Sequence, residues 1–268
     1  MNIINLLNQI KTDEVVLPGI QRNFVWSKEK IVKLLDSIMR GYPIGIALLW
    51  ETYKDIQYRL FDCDYISGNL YSYHENTEHK RIKLVLDGQQ RLQSLYIALY
   101  GKLNGEELYF DVLSGRESDD LAEEKYIFEF ATQKEIKKRN TSITTTLNKY
   151  INIERKNSIP QSYFVKVSDI FKMETRQKKE LVRQISKKLN LSQEDEIRLD
   201  INLSRLDEAF SKDENILKVL VIDENLPPTS PYRKSEADVL EIFVRVNTEG
   251  TPLSRSDLIF SMLKPVSY

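Results

Sequence analysis

The stretch that decides the fold is Arg81-Ile82-Lys83-Leu84-Val85-Leu86-Asp87-Gly88-Gln89-Gln90-Arg91-Leu92. Its first six residues predict a short strand that ends at Asp87-Gly88. Beyond the glycine, apolar residues recur at helical spacing until Gly101, so this stretch predicts a helix. A strand, a tight glycine turn and a helix together point the first backbone N–H groups of the helix at whatever lies above the turn.

The segment before this unit predicts a strand, a helix and a second strand. Residues 15–17 are strand-like. A helix begins after Ser27, because serine is a favourable N-cap residue and apolar side chains then recur at helical spacing. Gly41 suits the position just after the end of that helix. Residues 44–50 predict the second strand, and residues 62–80 predict a hairpin or loop.

The middle of the chain has a different character, with several runs of charged residues. We interpret these runs as solvated helix faces rather than as a binding surface. In chain order, this part predicts strands at 109–112 and 126–130, helices over 168–211 with caps at Ser168 and Ser192, and a strand at 216–222.

The last part again predicts well-separated elements. Ser235 is the expected cap of a helix, and residues 247–252 predict a loop. Ser254 and Asp257 resemble a capping box that opens a final helix. That helix is still apolar at Tyr268, so we expect the natural protein to continue beyond it.

These elements predict an α/β fold of the α+β kind. We assign residues 1–110 to the first part of a core and residues 213–268 to its return. Residues 111–212 form an insertion of mixed strands and helices. We expect the returning segment to lie beside the Asp87 loop.

Composition narrows the class of protein. Of the 268 residues, 41% are hydrophobic and 29% are charged, which is typical of a folded globular chain. The formal charge is −1, so any nucleic-acid contact must come from a local positive patch. The chain has neither a secretory pattern nor a run of about 18 apolar residues, which predicts a cytoplasmic protein without a membrane span.

Cysteine and histidine are scarce, and this excludes several chemistries. Cys63 is the only cysteine, so a disulfide framework and a thiolate metal cluster are excluded. The only histidines are His74 and His79. A zinc site or a Ser-His-Asp triad is therefore not expected.

The Asp87 loop is the first candidate site. Asp87 at a strand end suits an N-cap, and Gly88 permits the tight turn. This structural interpretation does not account for Gln89, Gln90 and Arg91 in the first helical turn. A cation is disfavoured at a helix N-terminus unless an anion binds there, so Arg91 favours a phosphate cradle formed with exposed amides.

Two further segments carry candidate residues. Arg22 lies in a loop that enters a helix, and it is either a second phosphate ligand or an ordinary exposed arginine. Arg245 and Asn247 end the later helix, where a cation is simply favourable. We expect local positive charge around Arg91.

In combination, these segments resemble the N-terminal domain of GmrSD-type restriction endonucleases, a family related to the ParB/sulfiredoxin-like fold. The resemblance rests on residues between 14 and 264, and the Asp-Gly-Gln-Gln-Arg loop is its most specific part. The matching stretches are Leu17-Pro18…Gln21-Arg22…Val25-Trp26, Tyr42-Pro43-Ile44-Gly45, Leu86-Asp87-Gly88-Gln89-Gln90-Arg91-Leu92, and Ile242-Phe243-Val244-Arg245-Val246-Asn247-Thr248-Glu249-Gly250-Thr251-Pro252-Leu253-Ser254…Asp257-Leu258.

The resemblance implies a ParB-like core that binds nucleoside triphosphates with Mg²⁺, and in some members hydrolyses them. It also implies a bacterial anti-phage restriction system that acts on modified DNA. The partners it implies are nucleotide, DNA, a C-terminal effector domain and a possible homo-oligomer. The residues assigned to catalysis are Asp87, which would also hold the metal or orient water, with Gln90 and Arg91. The residues assigned to nucleotide binding are Arg22, Gly88, Gln89, Arg245 and Asn247.

Other functions stay open or are excluded. The same pocket could read a DNA backbone or a modified base without turnover. A nuclease is less expected, because no second carboxylate clusters with Asp87 and the chain has no His-Asn-His set. Sulfiredoxin-like repair needs a cysteine at this loop, and Cys63 lies elsewhere. No Walker A loop is present.

Overall fold

The strand that leads to Asp87 lies inside a six-stranded sheet. In the computed structural model of the chain, the residues described are 1–19, 21–115, 125–150, 162–212, 214–227 and 229–247, with the side chains of 142–150 and 247 left aside. Within these ranges the helices are α1 (Ile3–Lys11), α2 (Lys28–Met39), α3 (Gln89–Tyr100), α4 (Gln133–Tyr150), α5 (Val167–Lys172), α6 (Thr175–Leu189), α7 (Gln193–Ser211) and α8 (Glu236–Asn247). The strands are β1 (Val15–Pro18), β2 (Ile46–Thr52), β3 (Gln57–Arg59), β4 (Asp64–Tyr65), β5 (His74–Glu75), β6 (Ile82–Asp87), β7 (Lys102–Leu103), β8 (Glu107–Asp111), β9 (Phe128–Ala131), β10 (Phe164–Lys166) and β11 (Lys218–Asp223).

The main sheet has mixed strand directions. Its order is β11-β2-β6-β1-β3-β5. β6 is parallel to β1 and antiparallel to β2, and β11 is parallel to β2. The alternation of helices with this mixed sheet confirms the predicted α/β fold. Because β11 pairs with β2, residues 218–223 return to the sheet that holds the Asp87 loop.

Both faces of the main sheet are covered. Side chains alternate between the faces of a strand, and in β6 this places Val85 in one hydrophobic cluster and Leu84 and Leu86 in another. The first cluster contains the buried sides of α1, α2 and α3. The second contains Val239 and Phe243 of α8. The helix α3 that begins at the Asp87 loop and the helix α8 therefore lie on opposite faces.

The middle of the chain packs onto the first face. β10, β8 and β9 form a separate antiparallel sheet; α5 packs on β8 and β10, and α7 packs on α1, α2 and α6. Side chains from this region, such as Phe110 and Phe210, belong to the same hydrophobic cluster as α1 and α2. The division into a core and an insertion at residue 111 stays a prediction.

Local expectations were mostly confirmed. Ser27 and Ser192 cap α2 and α7, and Ser235 Oγ accepts a hydrogen bond from the Asp238 backbone N–H. Ser168 is not a cap, because α5 begins at Val167. The long helix α4 was not predicted. The loop after Asn247, the expected capping box and the final helix lie outside the described residues.

In the part of the chain that the structure describes, no helix combines the length and the apolar character that crossing a membrane requires.

Candidate functional site

Three segments that are distant in sequence meet at the start of α3. A cleft of about 110 Å³ opens there, and its lining comes from the 21–26 loop and the 86–91 turn. The lining residues are Gln21, Arg22, Trp26, Leu86, Asp87, Gly88, Gln89, Gln90 and Arg91. The third segment, residues 45–47, lies against the same turn. Three of the four stretches that carry the family resemblance thus come together at one place.

Gly88 allows the turn to pass very close to β2. Its φ is +90°, a left-handed conformation that L side chains rarely adopt. A Cβ atom here would stand 3.0 Å from the Ile46 carbonyl oxygen and 3.2 Å from the Ala47 Cα. Both neighbours are backbone atoms, so the position accepts only glycine without a shift of β2.

The N-terminus of α3 has no side-chain cap. Asp87 was expected to be the N-cap, and this was wrong: Gly88 occupies that position, and no side chain bonds to the first turn. Asp87 instead ends β6 and approaches Arg91, with 3.4 Å between Oδ2 and Nη2. The first helical N–H groups are therefore left to water or to a ligand.

Both glutamines of the loop have structural contacts that the sequence pattern did not reveal. Gln90 accepts a hydrogen bond from the Val25 N–H at 2.9 Å and donates one to the Asn23 carbonyl at 3.0 Å. Gln89 donates to the Arg22 carbonyl at 2.6 Å. These bonds hold the 22–25 loop against α3, so they position the cleft wall. A contact of Gln89 or Gln90 with a ligand stays a prediction.

Arg91 is shared between the protein and the cleft. Its Nη2 donates to the Ile46 carbonyl at 2.6 Å, and its side chain is 24% exposed. Gly45, whose φ is +102°, lies directly beside the guanidinium. Nη1 bonds to none of the described residues and is not enclosed, whereas Nε is buried without a partner. The guanidinium therefore offers a ligand one N–H₂ group, Nη1, and not the two parallel N–H donors of a bidentate contact.

Arg59 is a residue of the site that sequence reasoning missed. It is 1% exposed, and its guanidinium donates to the Gln21 carbonyl and lies 4.2 Å from the centre of the Tyr71 ring. None of the described carboxylates pairs with it. The signal available in the sequence was an arginine inside the strand segment Tyr58-Arg59-Leu60. Arginine is almost never fully buried unless it is paired, so an arginine in a strand of the core indicates a specific role.

The charge around the cleft is positive on balance. Arg22 and Arg91 line it, Arg59 lies behind the Gln21 backbone, and Asp87 is the only carboxylate among the lining residues. The positive patch expected around Arg91 stays a prediction. Arg22 is exposed, and its side chain has no partner among the residues that the structure describes.

Among the described residues of the later motif, Arg245 does not contact the loop. Arg245 is 76% exposed and pairs with Glu241 on its own helix, 2.9 Å from Nε to Oε1. Its helix lies on the sheet face opposite α3. Asn247 ends α8, and its side chain lies outside the described residues. The joint site of Arg22, Arg91 and Arg245 stays a prediction.

The described residues contain neither a cluster of metal ligands nor a cysteine with a lowered pKa. Within the described ranges, no three His, Cys, Asp or Glu side chains group as a metal site would need. Burial is the largest cause of the raised pKa of the Cys63 thiol, and the nearby Asp64 and Asp62 carboxylates raise this pKa further. A raised pKa opposes thiolate formation at neutral pH, which is the reverse of what a redox-active cysteine needs.

The fold and the cleft define an α/β domain with a polar cleft at an uncapped helix N-terminus. The chain belongs to the GmrSD restriction endonuclease N-terminal domain family, which it matches over residues 3–264. It is also 38% identical, over 99 residues, to an uncharacterized protein of Methanocaldococcus jannaschii. That match covers 37% of this chain and 17% of the relative, so the chain spans less than a fifth of the relative's length.

Proposed function

We propose that the cleft at the start of α3 binds the phosphate groups of a nucleoside triphosphate. The observation that carries this proposal is the uncapped N-terminus of α3, flanked by Arg22 and by the free Nη1 of Arg91. Backbone N–H groups and the positive end of the helix dipole favour an anion at this position. The buried charge of Arg59 adds to the same field.

The size of the cleft limits what it encloses. Small-molecule pockets usually hold about 300–1,000 Å³, whereas this cleft holds about 110 Å³. That volume suits phosphate groups rather than a whole nucleotide. The ribose and base would therefore extend past Trp26, which is half-buried at the cleft edge.

Hydrolysis would rest on Asp87 and the arginines. The Asp87 side chain is 39% exposed at the cleft. Mg²⁺ is commonly held by one or two carboxylates together with phosphate oxygens, so Asp87 fits a metal that the substrate helps to bind. Such an ion would neutralise phosphate charge. Because the Gln90 amide is occupied by Asn23 and Val25, it cannot orient a water molecule without releasing the loop.

The domain would act as a nucleotide-dependent regulator within a restriction system that recognises modified DNA. Cytoplasmic location, an effector domain beyond this chain and self-association belong to the same proposal. A second candidate is a module without turnover, in which the cleft holds one phosphate of a DNA backbone. The small cleft volume favours this second candidate as much as the first.

Trp26 supplies a direct test. Its fluorescence should change on titration with a non-hydrolysable triphosphate, while Trp50, which is 0% exposed in the second cluster, should not respond. A Trp26→Phe variant should bind with similar affinity by calorimetry but lose the signal. Phosphate release with each of the four triphosphates, with and without DNA, separates hydrolysis from binding. The absence of any calorimetric binding to the folded protein would refute the proposal.

A further inference from the structure

Helix α6 carries a strong excess of positive charge. It contains six basic residues and one acidic residue, a net charge of 6 − 1 = +5. The neighbouring helix α7 contains two basic and six acidic residues, a net charge of 2 − 6 = −4. The two helices pack against each other, and Lys178 pairs with Asp207 between them at 3.1 Å. Positive charge is thus concentrated on α6 and negative charge on α7. On a surface that serves only solubility, the two signs would be interspersed.

The basic side chains of α6 form one exposed stripe. Arg176, Lys179, Arg183 and Lys187 follow one another at intervals of three or four residues, and all four are exposed. At 100° per residue they fall on one side of the helix, over a length of about 16 Å. The opposite side carries Val182, Ile185 and Leu189, which are buried in the main cluster. We call these four residues the α6 stripe.

The α6 stripe is little neutralised by the protein. Arg176, Lys179 and Lys187 pair with none of the described carboxylates, and Arg183 is 3.7 Å from Glu180 with both side chains more than half exposed. Such an exposed pair contributes little to stability and is screened by salt. The exposed lysines Lys134 and Lys137 belong to α4, which packs on α6.

We propose that the α6 stripe binds the phosphate backbone of duplex DNA, at a surface separate from the α3 cleft. One strand of a duplex carries a phosphate about every 3.4 Å along the axis. Because the phosphates of a strand also wind around the axis, a straight stripe of about 16 Å faces only part of such a run, and its four cations can neutralise at most four phosphates of the duplex. Contacts of this kind provide affinity and position without reading sequence.

Other polyanions fit the stripe less well. Proteins that bind single strands stack bases on aromatic side chains, and among the described residues α6 has no aromatic residue. A membrane-surface helix inserts its apolar side, but the apolar side of α6 is buried against the protein core. An acidic protein partner would need shape-specific pockets beside the charges, and the hollow along α6 is lined by residues of that helix alone.

The test compares two variants of equal charge. In the first, Arg176, Lys179, Arg183 and Lys187 are all changed to glutamine. In the control, four exposed lysines elsewhere are changed to glutamine: Lys30, Lys33, Lys80 and Lys212. Both variants lower the formal charge by four, and glutamine retains the helix propensity of lysine and arginine. Binding of a fluorescent 20-base-pair duplex is measured by anisotropy at several salt concentrations, and melting curves confirm folding.

The α6 variant should lose at least tenfold in duplex affinity, and the slope of log K against log salt should fall by about three to four. The control should keep its affinity within about threefold. Equal losses in both variants, a stronger response to polyglutamate or to single strands than to the DNA duplex, or a preference for duplex RNA would overturn the proposal. Titrations of Trp26 fluorescence with nucleotide should be unchanged in the α6 variant. The test of DNA binding by the α6 stripe is therefore independent of whether the α3 cleft binds nucleotide.

Discussion

Arg91 lies against Gly45 so closely that a Cβ atom at residue 45 would be 3.3 Å from the arginine Nη1. Gly45 has a φ of +102°, so its own conformation also favours glycine. The segment before β2 and the loop after β6 are therefore fitted to each other at this arginine. Two separated stretches of the family resemblance are explained by one contact.

Gly45→Ala should displace the Arg91 guanidinium and weaken phosphate binding at the cleft. A suitable control is Gly68→Ala, because Gly68 has a similar φ of +89° but open space around it. Both variants should melt lower, since alanine in a left-handed conformation costs about 1–2 kcal/mol. Only Gly45→Ala should lower affinity for a non-hydrolysable triphosphate. Equal affinities in the two variants would show that the packing of Arg91 on Gly45 does not matter for binding.

Arg91→Ala and Arg91→Lys should each lose both stability and affinity. The bond from Nη2 to the Ile46 carbonyl is removed in both, and a hydrogen bond from a charged group contributes about 1.5–3 kcal/mol. Lysine cannot contact Ile46 and a ligand at once as a planar guanidinium can. We expect about tenfold weaker triphosphate binding by calorimetry. Arg245→Ala, which removes the same charge at an exposed position, should melt like the parent protein. A fully stable Arg91→Ala variant would contradict the contact with Ile46.

Gln90→Leu should release the 22–25 loop. The substitution leaves the Val25 N–H and the Asn23 carbonyl without their partners, and each lost partner costs about 1–3 kcal/mol where the groups remain buried. Hydrogen exchange at the Val25 amide should increase more than exchange inside α3.

Gln93→Leu is the matched control for that experiment. Gln93 is 3% exposed and likewise bonds through both ends of its amide, to the Asp62 N–H and carbonyl. It should lower stability to a similar degree without selective exchange at Val25. If Val25 exchanges equally fast in both variants, Gln90 has no special hold on the loop.

The pair between Glu107 of β8 and Lys166 of β10 should make the second sheet sensitive to acid. Burial raises the pKa of Glu107, but the hydrogen bond and charge of Lys166 outweigh it, so that the pKa lies below its ordinary value of 4.5. A carboxyl with a lowered folded-state pKa stabilises the protein above its unfolded pKa, and that stability is lost as pH falls through the folded pKa. In urea melts, Lys166→Met should be less stable than the parent near pH 6, and the difference should shrink well below pH 4.5. A difference independent of pH would indicate lost packing instead.

The sequence by itself determined the order of elements around the site. The start of α2 after Ser27, the start of α3 after Gly88 and the end of α3 before Gly101 were predicted almost to the residue. These bounds could be predicted because caps and glycine turns depend on residues that are neighbours in sequence. The family could also be inferred, since its motifs are short and contiguous. Helix α4 was not predicted, because its residues 141–146, Thr-Ser-Ile-Thr-Thr-Thr, have poor helix propensity and no apolar stripe. Such a helix depends on its neighbours.

Only the tertiary structure decided what the loop residues do. Gln89 and Gln90 bond to a segment more than sixty residues away in sequence, and Arg91 bonds to β2. Such contacts depend on how the sheet folds, and no local pattern encodes them. The same holds for Arg59, whose burial follows from the Tyr71 ring and the Gln21 backbone. Residue type indicated that an anion could bind at α3. Long-range packing determined which atoms of Arg91 bond to the protein and which do not.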